Sequence, residues 1–375
     1  MNEGTNRNLN PILASLMKSP FTTSHIYNEE GNISPNEEPT DIFGNSNPYV
    51  LSNNLLLANI NYRFMGTFEL AWKINEKLSF SGSIGLNFNK ERERIFYPSV
   101  GVAFDQSGET LITNEMQHRT DRLFSLFGNV YANYRTSFSS DNKLNVRVGT
   151  RYQNNKAEND FGKSFNSSSD DFRTIKYGIP LLRQIGGSIG NWNWLSLYAT
   201  ADYALQNKYF FNFSLASDAS SRYGMDAKTL YTYPSLAGAW LISGEDFMQD
   251  FSAFDLLKFR LSYGLSGNDD IGNYNGIQYY KPQNLFGNYG LIRGNLVNAG
   301  LKPETVERIN TGLDLSFFDE RVNVSLDVYL NTVKDMILVT TPDRVSGFNH
   351  YIANAGSMRN TGADFNVNTR ILNGA

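Results

Sequence analysis

Leu257-Lys258-Phe259-Arg260-Leu261-Ser262-Tyr263-Gly264-Leu265 carries the period that sets the fold. Each odd position is large and apolar, and each even one is charged or small. A period of two puts the two sets on opposite faces of a strand, whereas a helix would scatter both around its circumference. The alternation recurs from Leu78 (Leu78, Phe80, Gly82, Ile84, Leu86, Phe88) and from Leu144 (Leu144, Val146, Val148, Thr150, Tyr152). It recurs again from Val322 (Val322, Val324, Leu326, Val328, Leu330) and from Ala363 (Ala363, Phe365, Val367, Thr369, Ile371). Weaker versions near 65–74, 123–135, 195–206, 209–217, 235–243 and 307–317 bring the total to about eleven strands. Helix is nearly absent, and its best candidate is one or two turns in the connection Ser243 to Phe254. The expectation is an all-β fold with a loop-rich opening segment at residues 1–59 and a meander of strands over 60–371.

Composition narrows the class. The chain has 375 residues and no Cys, so a disulfide scaffold and a cysteine metal site are excluded. With 33 Lys plus Arg against 37 Asp plus Glu, and no long basic run, nucleic acid is not an expected partner. Aromatic residues make up 14% of a chain whose charged fraction is only 19%, which favours strands at a surface. No uncharged apolar run approaches the ~18 residues of a membrane-spanning helix. Met1-Asn2-Glu3-Gly4-Thr5 has neither a basic nor an apolar start, so no export signal is expected in these residues.

Two regularities separate this pattern from a soluble sandwich. The alternating runs last roughly ten residues, where soluble strands stop near ~5–6 and a tilted strand needs ~9–11 to cross a bilayer. Tight connections (Asn75 to Lys77, Gln206 to Lys208, Phe318 to Arg321) alternate with long ones (Glu91 to Thr120, Asn155 to Asn193, Asn268 to Glu304). Short turns at one end and long loops at the other are the pattern of an antiparallel transmembrane β-barrel. Lipid supplies no water to a backbone group, so strands must satisfy one another while apolar side chains face outward. Trp72, Tyr152, Trp192, Trp194, Tyr209, Trp240 and Tyr263 would suit interfacial girdles. Arg147, Arg151, Lys258, Arg260 and Arg370 fall on the polar side. A soluble β-sandwich or solenoid adhesion module is the competing architecture, since it too alternates.

Several blocks resemble a known family. Ser220-Ser221-Arg222-Tyr223-Gly224, Tyr233-Pro234-Ser235 and Ala239-Trp240-Leu241-Ile242-Ser243 are similar to the middle of SusC/RagA-type TonB-dependent outer-membrane transporters. The stretch Leu257 to Gly264 leading into Gly267-Asn268-Asp269-Asp270-Ile271-Gly272-Asn273-Tyr274 follows the same pattern. Leu301-Lys302-Pro303-Glu304-Thr305, Asn310-Thr311-Gly312-Leu313-Asp314 and Asn354 to Gly362 come in the same order, with Asn10-Pro11-Ile12-Leu13-Ala14 and Ser46-Asn47-Pro48-Tyr49 as fainter matches. The resemblance implies roughly half of a barrel of about 22 strands. It further implies an internal piece of a longer protein, without signal peptide, TonB box, plug domain or last strands. Import of a bulky nutrient, an oligosaccharide or a peptide, across the outer membrane of a Bacteroidota-type bacterium follows from it as an expectation. The implied partners are a SusD-like surface lipoprotein, TonB acting through the plug, and outer-membrane lipid. The piece alone is not expected to transport.

No enzymatic chemistry is expected. His25, His118 and His350 stand apart from one another, and no Gly-x-Ser-x-Gly turn surrounds a serine, so neither a metal site, a cofactor site nor a triad is read here. Asn268-Asp269-Asp270 with Gly272-Asn273 lacks the alternate-position spacing of a calcium loop and reads as turn chemistry. Gly186-Gly187-Ser188-Ile189-Gly190 lacks the Lys-Ser/Thr pair of a phosphate cradle and reads as a loop entering the strand after Trp194. The candidate contact residues are aromatics of the long connections: Tyr274, Tyr279, Tyr280, Phe286 and Tyr289 in one, Phe161, Phe165 and Phe172 in another. Aromatic faces beside amides suit sugar or peptide recognition, and they equally suit the small core of a self-packed loop.

Overall fold

The structure is a computed structural model that describes residues 11–21, 23, 25–37, 40–41, 43–102, 105–107, 110–248, 251, 253–371. Met1 to Thr5, Asn10, the middle of the Ser243 to Phe254 connection and the terminal Gly374-Ala375 lie outside the described residues. Eleven long strands form one antiparallel sheet. They are β1 (Leu56–Lys73), β2 (Leu78–Tyr97), β3 (Glu115–Ser137), β4 (Lys143–Phe165), β5 (Gln184–Leu205) and β6 (Tyr209–Ser220). The rest are β7 (Tyr231–Leu241), β8 (Leu256–Asn268), β9 (Glu304–Phe317), β10 (Val322–Lys334) and β11 (Met358–Thr369). Each pairs with its neighbour in sequence, so the sheet is an uninterrupted meander. This is the wall of a transmembrane barrel, with short turns at one end and long loops at the other.

The chain divides into two compact units, residues 1–65, 87–124 and 156–190 in one and residues 66–86, 125–155 and 191–375 in the other. The first holds helices α1 (Pro11–Met17) and α2 (Pro48–Asn53), absent from the sequence reading. Asn47 caps α2 by accepting from the Tyr49 amide, and Pro48 occupies its first turn, a signal that was available in the sequence. Ala14, Val50, Leu51 and Val102 make a small buried core around them.

In the second unit the registers give one row of Phe259, Leu313, Leu326 and Phe365, and another of Phe213, Leu236, Tyr263, Ile309 and Leu330. These rows are uncovered. Leu326 is 41% and Phe365 69% exposed. Among the described residues the remaining sheets are two-stranded hairpins, so no second sheet packs on this face. An apolar face of this extent is stable only against lipid. The intervening row Arg260, Gly312, Asp327 and Asp364 is polar, as the alternation predicts.

Three sequence expectations need correction. Strands are longer than the alternation showed: β4 runs to Phe165 and β5 begins at Gln184, so the connection read as Asn155 to Asn193 shrinks to residues 166–183. Beyond the lipid both faces meet water, so apolar alternation fades while the ladder continues. For the same reason the connection read as Glu91 to Thr120 shortens, β2 extending to Tyr97 and β3 starting at Glu115. Gly186, Gly187 and Gly190 lie inside β5, where the missing side chain of Gly186 makes room for the Phe161 ring. Among the described residues, the Ser243 to Phe254 connection shows 3-10 turns at Ile242–Gly244 and Asp246–Met248 rather than an α-helical turn.

Candidate functional site

The polar face of the second unit carries two charged networks toward the short-turn end. On β8, Arg260 donates from Nε to Asp314 Oδ2 at 2.8 Å and from Nη2 to Asp314 Oδ1 at 2.8 Å. Its Nη1 reaches Asp327 Oδ1 at 2.9 Å, and Ser325 donates to Asp314 Oδ1 at 3.1 Å. The guanidinium lies over Gly312, where an added Cβ would come 2.7 Å from Arg260 Cζ. A side chain at this point of β9 would displace the guanidinium from its place between the two carboxylates. Farther along the sheet Arg135 donates to Asn145 at 3.2 Å, and Asn145 to Asp202 at 3.1 Å. Asn212 also donates to Asp202. A cavity of about 920 Å³ opens over this face, with Arg135, Asp202, Asn212 and Arg260 among its walls.

Removing Arg260 would leave two carboxylates side by side. The three side chains are 23% to 31% exposed, so the loss falls between that of a surface pair and of a buried one, about 2 kcal/mol for Arg260→Ala. Adding Asp314→Asn and Asp327→Asn to that variant is expected to return most of it in urea titrations. The double replacement failing to restore stability would contradict the assignment of the loss to unpaired charge.

At the short-turn end Glu245 organises the membrane rim. Its carboxylate accepts from Tyr209 Oη, from Trp240 Nε1 at 2.9 Å and from Lys208 Nζ at 3.2 Å. The Tyr209 and Trp240 rings stack at 6.3 Å. The Tyr209 hydroxyl, then the indole and the ammonium, hold the Glu245 carboxyl below the usual carboxylate range. A depressed folded value means stability that is present above the unfolded value of about 4.3 and lost as pH falls through the folded one. Thermal midpoints are thus expected to drop as pH is lowered through the region below that value, and Glu245→Gln is expected to flatten this part of the profile. An unchanged slope in the variant would contradict it.

At the long-loop end the connections after β6, β8 and β10 converge. Tyr223, Ile271 and Leu301 form a buried cluster, and Tyr223 meets Tyr231 edge-on at 5.2 Å. The Gly224 amide donates to the Leu301 carbonyl at 2.8 Å, and the Asp226 amide to Ala299 at 2.8 Å. Arg222 places its guanidinium 4.1 Å from the Trp192 ring and donates to Asn273 Oδ1 at 3.1 Å and to the Asp269 carbonyl at 3.3 Å. Burial, with Tyr233, Asp269 and Asp218 behind it, pushes the Tyr223 phenol up, so it stays a neutral donor. Arg151 lies 4.4 Å over the Tyr198 ring on the same face.

Trp192 and Trp194 therefore do not belong to the lipid girdle. Trp194 shares the polar side with Ser196 and Asp218, out of phase with Leu195 and Leu197. Their phase was readable in the sequence. Tyr209, Trp240, Tyr263, Tyr152 and Trp72 keep the lipid side.

The predicted contact residues are placed as follows. Tyr280–Leu285 and Asn288–Arg293 pair as a hairpin whose residues are exposed on both faces. Phe286 stands at its tip, 97% exposed, with left-handed backbone at Phe286 (φ 50) and Gly287 (φ 83). Tyr280 and the 85%-exposed Tyr289 lie on its strands; Tyr274 and Tyr279 precede it. Phe161 and Phe165 are strand residues of β4 rather than loop residues. Phe165, only 6% exposed, is out of reach of any ligand. Phe172 pairs with Tyr177 at 4.8 Å within its own connection. The two aromatic groups fall in different units. Alternation could not have found the patch, because it joins Trp192, Asp218 and Tyr233 of three strands to Arg222, Tyr223 and Asp269 of two long connections.

Long strands with a greasy face, a charged face and alternating short and long connections define a β-barrel of the outer membrane. The chain belongs to the TonB dependent receptor-like β-barrel family, whose profile matches residues 5–375. It is 29% identical over 360 residues to the TonB-dependent receptor P26 of Formosa agariphila, covering 92% of this chain and 35% of that protein. To the TonB-dependent receptor SusC of Bacteroides thetaiotaomicron it is 27% identical over 260 residues, covering 67% of this chain and 25% of SusC. The chain thus spans well under half the length of the curated relatives it matches. The fold is similar to that of the RagAB peptide transporter, with a TM-score of 0.79 at 22% identity over 92% of this chain and 38% of that one. At that identity the likeness speaks for the fold alone. The relatives are receptors rather than enzymes, and the soluble sandwich alternative falls with the uncovered apolar rows.

Proposed function

We propose that this chain forms part of the barrel wall of a TonB-dependent importer of a bulky nutrient, an oligosaccharide or a peptide, in a Bacteroidota-type bacterium. The observation that carries the reading is the aromatic and charged patch of Trp192, Arg222, Tyr223 and Tyr233 on the polar face at the long-loop end. A substrate entering from outside would meet that patch first. The relatives named TonB-dependent receptor in Formosa and Bacteroides support the lineage and the energy source. In this reading residues 1–59 open one barrel domain whose meander fills residues 60–371, and the plug through which TonB acts is another part of the protein.

A SusD-like lipoprotein would cap the long-loop end. The hairpin Tyr280–Leu285 with Asn288–Arg293 offers it Tyr280, Phe286 and Tyr289, side chains too exposed to be a loop core. Growth of a strain lacking the protein is the test, with oligosaccharide mixtures and peptide digests supplied in turn as the sole carbon source. Slowed growth on one class is expected. Growth equal to the parent on both would contradict the importer reading.

A further inference from the structure

We infer that Asp218, Asp269 and Tyr233 form a receptor for a primary ammonium group on the substrate, the α-amine of a peptide or the amine of an amino sugar. The inference rests on the importer reading and names the chemistry its substrate would carry. Three buried oxygens of the long-loop patch have no hydrogen-bond partner: Asp218 Oδ1, Asp269 Oδ2 and Tyr233 Oη. Tyr233 is only 7% exposed, so its orphaned hydroxyl is not served by open solvent. Register brings the three together. Asp218 stands opposite Ser196 on one side and Tyr231 on the other, and Tyr233 follows on the same face of β7. The missing side chain of Gly267 leaves the space that the Tyr233 phenol head fills, two residues before Asp269. Both carboxylates act through space on Tyr233 and on Tyr223.

The protein supports each carboxylate through one oxygen and leaves the other oxygen without a partner. The Ser196 hydroxyl supports Asp218. Arg222 Nη1 lies 4.0 Å from Asp269 Oδ1 and 3.8 Å from Asp270 Oδ1, while its plane is committed to Trp192 at 4.1 Å. Arg151 also faces Asp218. Asp218 and Asp269 each present a carboxyl oxygen that no donor of the protein reaches, and a cationic N–H donor would satisfy both. An ammonium brings three N–H donors, one for each orphaned oxygen, and the Tyr223 and Tyr231 rings beside them favour a cation. A calcium ion fits less well, since it takes ~6–8 oxygens and would sit beside two guanidinium groups.

The test uses the full-length protein in detergent and isothermal titration with two matched pairs of probes. One pair is penta-alanine with a free and with an acetylated N-terminus; the other is a glucosamine pentamer and its N-acetyl counterpart. The free amine is expected to bind about tenfold or more tightly than its acetylated partner in one pair, and that pair identifies the source. Asp218→Asn, Asp269→Asn and Tyr233→Phe are each expected to bring the free amine down to the acetylated level and to leave the acetylated probe unchanged. Heat-modifiable migration checks that each variant barrel is folded. Equal binding within both pairs overturns the assignment, as does no binding by either free amine, or calcium chloride alone binding in a manner lost in Asp218→Asn. Uptake of a nutrient by cells without amine discrimination would sink this inference while leaving the importer reading standing.

Discussion

Leu326→Arg is expected to cost about 2 to 4 kcal/mol of stability in phospholipid vesicles, the price of a charge on the lipid face near mid-depth. Leu326 sits in β10 between Leu313 and Phe365, with nothing of the protein above it. Its neighbour on the opposite face, Ser325, is not a neutral control, because its hydroxyl donates to Asp314 at 3.1 Å and to Asp327 at 3.3 Å. The alternation alone treats Ser325 as a bare solvated position, and the network shows why it is not. Asn366, paired with Ser325 and exposed on the polar side of β11, serves instead. Asn366→Arg is expected to leave stability nearly unchanged. Urea titration of both variants in vesicles checks the pair, and equal losses at the two positions would contradict the assignment of faces.

Gly224→Ala is the second large effect, for a different reason. A Cβ at Gly224 would come 2.6 Å from the carbonyl carbon of Ala299 and 2.7 Å from the amide of Leu301. These are backbone atoms and cannot rotate away. The two backbone hydrogen bonds that tie residues 224–226 to residues 299–301 would have to open, at a cost of about 3 kcal/mol. The damage is expected to stay in the long-loop hub. Limited proteolysis should cut the connections over residues 221–230 and 269–303 faster in the variant, while heat-modifiable migration of the barrel persists. Wild-type resistance at those connections would refute the account of the hub.

The two predictions mark what could and could not be read from residues alone. Leu326 was legible, because a period of two needs only near neighbours and the lipid enforces it strand by strand. The polar side of Arg147, Arg151 and Arg260 was legible for the same reason. Gly224 lies in a block shared with the family, yet no local rule says why glycine stands there. Its cause lies some seventy-five residues away in Ala299, in a backbone approach that exists only once the loops after β6 and β8 are folded together. Strand ends were illegible beyond the lipid, since polar extensions such as Asn155 to Phe165 carry no greasy phase. The aromatic candidates split accordingly. Phe286 and Tyr289 stand exposed at a hairpin, whereas the burial of Phe165 follows from a strand extension that periodicity did not reveal.

The importer reading, the rim held by Glu245 and the ammonium receptor all require that alternate residues face lipid and water. The chain has no native cysteine, so single cysteines from Val322 to Asn331 can carry a spin label without background. In vesicles, labels at positions 322, 324, 326, 328 and 330 are predicted to collide with dissolved oxygen, and those at 323, 325, 327, 329 and 331 with an aqueous nickel chelate. A profile with no two-residue period, or labels shielded from both probes along the whole strand, would contradict the central claim.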